Sequence, residues 1–344
     1  MNSANLSSLD YAKISNSATS IPSKLKQSLD SQPQKSTSLD LSNLVESVLG
    51  GIFAGHSYRN LTFGSLGDKK ESNLKSNKEV IVILSVDWQN SWILESQKGG
   101  WKRILMNLFG NALKYTHSGF VHVSLGMKTI PATFTLPAQR VVTLQIEDSG
   151  KGISNDYLRY KLFTPFAQED QMSVGTGLGL SIVRQLVTDL GGKIDIQSEV
   201  GCGTTVKVTV PLNSPPQLSD PMSLESSSVM SDVRRRCKGL TLCLIGFEYY
   251  PDIGENPTGI LSTHARRMLA LKSSFTMIVT DWFGMKITMA FSLASAQGDI
   301  LVGLRSKIDL SEGHTQEQAL IIFEDTIVGS RWRDAKGVYR LSQP

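Results

Sequence analysis

Residues 175–192 read GTGLGLSIVRQLVTDLGG. Gly175, Gly177 and Gly179 fall within five positions, and an amphipathic run starts directly after them. Glycine loses more backbone freedom on folding than any other residue. Such a cluster therefore marks a place where the chain must turn tightly or approach a ligand closely. The N-terminus of a helix exposes unpaired N–H groups and the positive end of the peptide dipoles, which together favour an anion. The spacing predicts a helix from Leu178 to Leu190. The stretch is not the dinucleotide fingerprint, in which GxGxxG directly follows a strand, and no Gly-Lys-Ser/Thr makes it a P-loop.

Three upstream segments have chemistry to match. WKRILMNLFGNALKYT (101–116) has helical spacing, with Ile104, Leu105, Leu108, Ala112 and Tyr115 on the buried stripe. Asn107, Asn111 and Lys114 share another face of that helix. Two amide oxygens and an ammonium there suit a Mg²⁺ ion and a phosphate, because Mg²⁺ takes oxygen donors and keeps water and substrate phosphates. The alternative is a solvated face of an amphipathic helix. EDSGKG (147–152) follows a strand. Asp148 at its end can accept from an exocyclic amine, and Gly150 and Gly152 let backbone approach a flat ring; the alternative is a plain Asp-Ser-Gly turn. LFTPFAQ (162–168) sets Phe163 and Phe166 around a proline, either as a rigid apolar plug or as core or hinge.

Around these segments the chain divides by composition. Residues 1–40 are rich in Ser, Asn, Gln and Lys and are expected to be disordered. LSNLVESVLGGIF (41–53) has helical spacing, residues 64–78 form a loop, and EVIVILSVD (79–87) is a strand. FVHVSLGM (120–127) and VVTLQIED (141–148) are strands joined by a loop at 129–140. KIDIQSE and TTVKVTVPL form a hairpin across Gly201-Cys202-Gly203. Residues 41–212, with a core at 80–212, make one domain, and Ser/Pro-rich residues 213–238, ending in Arg234-Arg235-Arg236, make a linker. Residues 239–344 alternate a strand (240–247), a helix (260–275) and apolar runs at 299–306 and 319–326, a small α/β domain.

A chain of 344 residues accommodates these two domains, and 40% apolar residues suffice for packed cores. The net charge of +4 is spread along the chain, so no basic face for nucleic acid is expected. Cys202, Cys237 and Cys243 form no CxxC pair, which argues against zinc and suits a reducing, cytoplasmic setting. No apolar run approaches the ~18 residues of a membrane helix, and no signal or transit pattern opens the chain.

In their order and spacing, the four segments resemble the N, G1, F and G2 boxes of the GHKL ATP-binding family. That family comprises sensor histidine kinases, gyrase-type topoisomerases, mismatch-repair ATPases and heat-shock chaperones. The resemblance covers residues 80–212. NLFGNALKYT, KLFTPFAQED and GTGLGLSIVRQL are most similar to histidine kinases, above all to hybrid sensor kinases of fungi. LSNLVESVLGGIFAG resembles their lead-in to the ATP domain, and SLDYAKIS (8–15) the tail of their dimerisation hairpin. The resemblance implies an α/β fold, a two-layer α/β sandwich of GHKL type followed by a small receiver-like α/β domain, with ATP and Mg²⁺ as cofactors. It implies that Asn111 holds Mg²⁺ with help from Asn107, and that Lys114 faces the phosphates. Asp148 would bind the adenine amine, Gly150 and Gly152 would shape the pocket, and Thr204 would help on the adenine side. Phe163 and Phe166 would belong to a mobile lid that Gly175, Gly177, Leu178 and Gly179 hinge and wrap around the triphosphate.

Hydrolysing relatives carry a Glu general base one turn before the metal Asn. Asn107 stands there, and an amide takes no proton near neutral pH. The expectation is a site that binds ATP, hydrolyses it poorly and hands phosphate to a side chain. In histidine kinases the acceptor lies in His-Glu-Leu/Ile-Arg-x-Pro, a context that His56, His117, His122, His264 and His314 all lack. Transfer would therefore run in trans, to a phosphoacceptor domain of another chain and on to a response regulator or phosphotransfer protein. The alternatives are an ATP-binding regulatory module without transfer and a GHKL ATPase, the latter disfavoured by Asn107. Either the chain is a truncated kinase or it is a stand-alone module, and a stable dimer is not expected without a full hairpin. In the C-terminal unit Glu248 precedes Tyr249-Tyr250 where a receiver needs paired carboxylates. Asp325 stands roughly at an acceptor position with 19 residues after it (344 − 325), so a degenerate or incomplete receiver is expected.

Overall fold

A computed structural model describes residues 37–64, 80–131, 139–170, 175–213, 225–247, 262–305, 308 and 319–323. All of them lie in one compact unit, Ser36–Pro344. Glu248, Tyr249, Tyr250, His314, Asp325 and residues 8–15 fall outside the described residues.

The first strand, β1 (Thr37–Asp40), lies inside the stretch expected to be disordered and pairs antiparallel with β3 (Ile93–Ser96). Asp40 then starts α1 (Leu41–Gly64): its Oδ1 accepts from the Asn43 N–H at 3.0 Å and from Ser42 Oγ at 2.8 Å. Leu41, Leu44, Val45 and Leu49 are buried, as their spacing predicts. α2 (Lys98–Tyr115) buries Trp101, Ile104, Leu105, Leu108, Phe109 and Ala112 along one stripe.

These helices cover one face of a five-stranded sheet. Its strands are β2 (Val80–Val86), β4 (Gly119–Ile130), β5 (Gln139–Asp148), β6 (Lys193–Glu199) and β7 (Gly203–Leu212), in the order β2-β4-β5-β7-β6. Only β2–β4 is parallel. Side chains alternate between faces: Val121, Val123, Leu125, Val142, Leu144 and Ile146 point into the core with α2. A short α3 (Asn155–Tyr160) follows β5, and α4 (Gly179–Asp189) buries Val183 and Val187 in the same core. Gly191 N–H to Thr188 O (2.9 Å) and Gly192 N–H to Val187 O (2.8 Å) close α4 in a Schellman turn, which accounts for the Gly-Gly ending the opening stretch. Within residues 80–212 the helices thus form one layer on one face of the sheet, a two-layer α/β arrangement as expected.

The stretch 213–238 differs from a plain linker, because α5 spans Glu225–Cys237 within it. Val233 and Cys237, one turn apart, are half-buried and Cys237 packs on the second core, a stripe too thin to outweigh the Ser-rich composition. Beyond it, β8 (Thr241–Ile245), β9 (Lys286–Ala290), β10 (Ile300–Leu304) and β11 (Ala319–Phe323) form a parallel sheet ordered β11-β10-β8-β9. Helix α6 (Thr263–Met277) links β8 to β9, starting with a Ser262 cap.

α6 is shared by both sheets. Met268 and Leu271 join a buried cluster with Leu242, Leu244 and Val302, and that cluster also holds Ile83 of the first sheet. Ser85 Oγ bonds Ser274 Oγ of α6 and, at 2.8 Å, His122 Nε2. Burial pushes the His122 imidazole below its ordinary pKa, partly offset by Glu147. Trp282 Nε1 donates to Val86 O at 2.8 Å. The face of the first sheet opposite α2 is thus covered at β2 and β4.

Candidate functional site

Asp148 ends β5, the central strand, registered against Val121 on one side and Thr204 on the other. It is only 7% exposed. Gly150 N–H donates to its Oδ1 at 2.8 Å, and the Thr204 backbone N–H also donates to it. Burial pushes the Asp148 carboxyl from 3.8 up to about 6. The two N–H donors and the Arg266 charge hold it lower than burial alone would, and Glu147 works the other way. A carboxylate in this position accepts strongly from any amine donor that reaches it.

The surrounding backbone is packed too tightly for side chains. A Cβ on Gly150 would sit 2.5 Å from Tyr115 O, the last residue of α2, and one on Gly152 would overlap the Glu199 carbonyl. Thr204 Oγ1 bonds Ser198 Oγ at 2.9 Å, and Ser198 Oγ also accepts from Ile153 N–H. Ser198 thus ties the EDSGKG turn to the β6–β7 hairpin. Its role leaves no local pattern in the sequence.

α2 carries the other end of the site. Asn107, Asn111 and Lys114 fall on one face, as the spacing predicts. Asn107 Nδ2 donates to Arg103 O at 2.8 Å, and its Oδ1 lies 2.7 Å from where a Cβ on Gly179 would be. The start of α4 therefore abuts Asn107 because residue 179 has no side chain. The Asn111 side-chain amide is half-buried and has no hydrogen-bond partner among the described residues. Its free oxygen and its uncharged character fit a hard divalent cation that is also held by phosphate and water. Among the described residues no three His, Cys, Asp or Glu side chains are grouped to bind a metal, so a cation here would rely on amides and substrate oxygens. Lys114 Nζ bonds Tyr115 Oη at 2.9 Å and lies 3.3 Å from the Cβ position of Gly175. Lys151 Nζ also sits over the Tyr115 ring, 5.0 Å from its centre, a second cation that the sequence reading did not single out.

The glycine loop meets the Phe-Pro-Phe segment. Gly177 has φ +70°, and a Cβ there would strike the Phe166 backbone at 2.6 Å. Phe166 N–H donates to Gly177 O at 3.1 Å. Phe166 itself has φ +65°, rare for an aromatic residue, and is 74% exposed, so it is not a core plug. Phe163 is half-buried, with Arg184 of α4 over its ring at 5.1 Å. Leu178 precedes α4 and supplies no side-chain cap, so the first-turn N–H groups of α4 are left to an outside acceptor. All four sequence segments thus pack together: the EDSGKG turn against Tyr115 of α2, and the glycine loop against Lys114, Asn107 and Phe166.

Residues 97–214 match the family of histidine kinase-, DNA gyrase B-, and HSP90-like ATPases. Among the curated relatives, hybrid signal transduction histidine kinase B of Dictyostelium discoideum is 35% identical over 118 residues, 33% of this chain and 6% of that protein. The autoinducer 2 sensor kinase/phosphatase LuxQ of Vibrio vulnificus (strain YJ016) is 36% identical over 114 residues, 32% of this chain and 13% of that protein. Sensor protein EvgS of Escherichia coli (strain K12) is 25% identical over 222 residues, 60% of this chain and 17% of that protein. This chain therefore spans less than a fifth of the length of these relatives. A solved structure of full-length ShkA in complex with AMPPNP aligns over 83% of this chain and 49% of that one, with 17% identity and a TM-score of 0.48.

Proposed function

We propose that this chain is the ATP-binding catalytic portion of a hybrid histidine kinase, binding Mg·ATP in the cleft between Asp148 and Lys114 and passing the γ-phosphate to a histidine of another chain. The observation that carries the reading is the buried Asp148 carboxylate, set between two backbone donors at the end of the central strand. Asp148 accepts from the adenine amine, with Gly150, Gly152 and Thr204 forming the walls. Asn111, with Asn107, would hold Mg²⁺, which when bound neutralises phosphate charge. Lys114 and the N–H groups at the start of α4 face the phosphates, and the segment carrying Phe163 and Phe166 closes over them, hinged at Gly175, Gly177 and Gly179.

In the transfer, an imidazole nitrogen of the acceptor forms a bond to the γ-phosphorus. The bond from that phosphorus to the bridging oxygen breaks, and its electron pair leaves with ADP. Positioning and charge neutralisation suffice for such a step. Asn107 cannot activate water as a base, so transfer outruns hydrolysis. A response regulator or phosphotransfer protein would receive the phosphate next, and a cytoplasmic setting fits these partners. Among the described residues no helix is long and apolar enough to cross a membrane.

One observation favours a second reading, an ATP-binding module without transfer. None of the five histidines has an acceptor context: His122 is bonded to Ser85 under α6, and His264 bonds Arg267. The parallel order β11-β10-β8-β9 supports a receiver-like C-terminal unit. Its degenerate character fits Gly246, Phe247 and Arg305, the residues described at the carboxyl ends of β8 and β10, which offer no carboxylate. The test mixes the full chain with an isolated dimerisation hairpin carrying the acceptor His, Mg²⁺ and γ-labelled ATP. Acid-labile label on the hairpin is expected. Nucleotide binding without label supports the second reading, and no nucleotide binding overturns both.

A further inference from the structure

Arg266, on α6 of the C-terminal unit, reaches the rear of the first sheet and touches three segments adjoining Asp148, Ser149 and Thr204. Its Nη2 meets Glu147 Oε1 at 2.7 Å, one residue before Asp148. Its Nη1 donates to Cys202 O at 2.6 Å, two residues before Thr204. Its guanidinium lies 5.5 Å from the centre of the fully buried Phe120 ring. Phe120 N–H in turn donates to Ser149 Oγ at 2.9 Å, and Ser149 N–H donates to Phe120 O at 3.1 Å. The ion pair is largely sheltered, with 23% of each side chain exposed.

We propose that Arg266 is a positioning residue for the adenine end of the nucleotide site, so that docking of α6 on the sheet and occupation of the cleft favour one another. The inference rests on the nucleotide reading above. One guanidinium holds the end of β5 and the turn between β6 and β7 in fixed relation, and Asp148 and Thr204 stand on those two segments. When α6 lifts, both contacts go and the two donors around Asp148 lose their common frame. By linkage, a nucleotide that needs the frame must also stabilise α6 in place. The charged groups that act on the Asp148 carboxylate are Arg266 from α6 and Glu147 from its own strand.

The experiment uses the full chain and Mg·ADP. Calorimetry on Arg266→Met is expected to show about tenfold weaker binding, in the usual range of coupling between sites. Arg266→Lys should recover part of the loss. The pH at which ADP affinity fades on acidification should move upward in the Met variant, because a favourable charge beside Asp148 has gone. In the wild type, ADP should also slow amide exchange across residues 263–277, and in Arg266→Met this protection should disappear. A side chain that only stabilises the fold would lower the melting temperature without changing the acid midpoint or the ligand-induced protection. Should the Met variant not fold, Arg266→Gln takes its place, keeping a donor for Cys202 O. If the wild type ignores ADP, the nucleotide reading fails. If the wild type binds and the folded variants match it in affinity, pH profile and protection, the role of Arg266 is refuted while the nucleotide site stands.

Discussion

Asp148→Asn is expected to stabilise the nucleotide-free chain near neutral pH while weakening its hold on ATP. Burial pushes the Asp148 carboxyl from 3.8 up to about 6, with Gly150 and Thr204 N–H groups, Arg266 and Glu147 making smaller adjustments. The folded chain therefore keeps this proton to higher pH than the unfolded chain does. Between those two values the native state binds more protons, so the stability contributed by the group falls as pH rises and is fully lost above about pH 6. The displacement is equivalent to about 3 kcal/mol. An amide of the same shape avoids that penalty and still accepts from Gly150, but its NH₂ is buried without an acceptor at a cost of about 1 kcal/mol. The net gain at about pH 7.5 is then about 2 kcal/mol, reversing to a loss of about 1 kcal/mol at about pH 3, where the carboxyl is neutral in both states. Urea unfolding across this range reads the difference directly, provided the slope with denaturant is unchanged. A variant equally destabilised at both ends would refute the argument, because it would mean that the carboxyl carries no buried-charge penalty. Such a trade between stability and function is common at binding sites.

Gly152→Ala forces a Cβ onto the Glu199 carbonyl at a φ of +71°, and at least about 2 kcal/mol of stability should be lost; an unshifted thermal melt would contradict the geometry. Trp101→Ala removes a fully buried indole whose Nε1 donates to Ser96 Oγ at 2.9 Å, and about 3–5 kcal/mol is expected by urea unfolding. Asn111→Ala should weaken Mg·ATP about tenfold and leave metal-free ATP nearly unaffected, because only the cation loses a ligand. Calorimetry with and without Mg²⁺ separates the two, and equal losses would place Asn111 elsewhere in the site.

What was legible in the sequence is what local spacing encodes. The α2 stripe recurs every three or four residues, and Asn107, Asn111 and Lys114 share a face for the same reason. The glycines at 175, 177 and 179 announce close approach, although their partners, Lys114, Phe166 and Asn107, became visible only when the elements met. The β1 strand escaped composition because four residues paired with β3 outweigh a polar neighbourhood. α5 was missed because its apolar stripe is thin. The rear support of the site had no signal at all. Arg266 and Glu147 are 119 residues apart, and Ser85 and Ser274 are 189 apart. Neither pair is periodic in anything, and His122 reads as one polar residue on an alternating strand. These contacts exist because β2 and β4 turn one face to α2 and the other to α6, so a covered sheet face demands partners that its own strand cannot specify. A carboxylate buried at the end of β5 is costly on its own. Arg266 behind it and the two backbone donors beside it offset part of that cost, so that the carboxyl, raised to about 6, is charged at neutral pH. The chemistry of the front of the sheet therefore depends on the packing of its back.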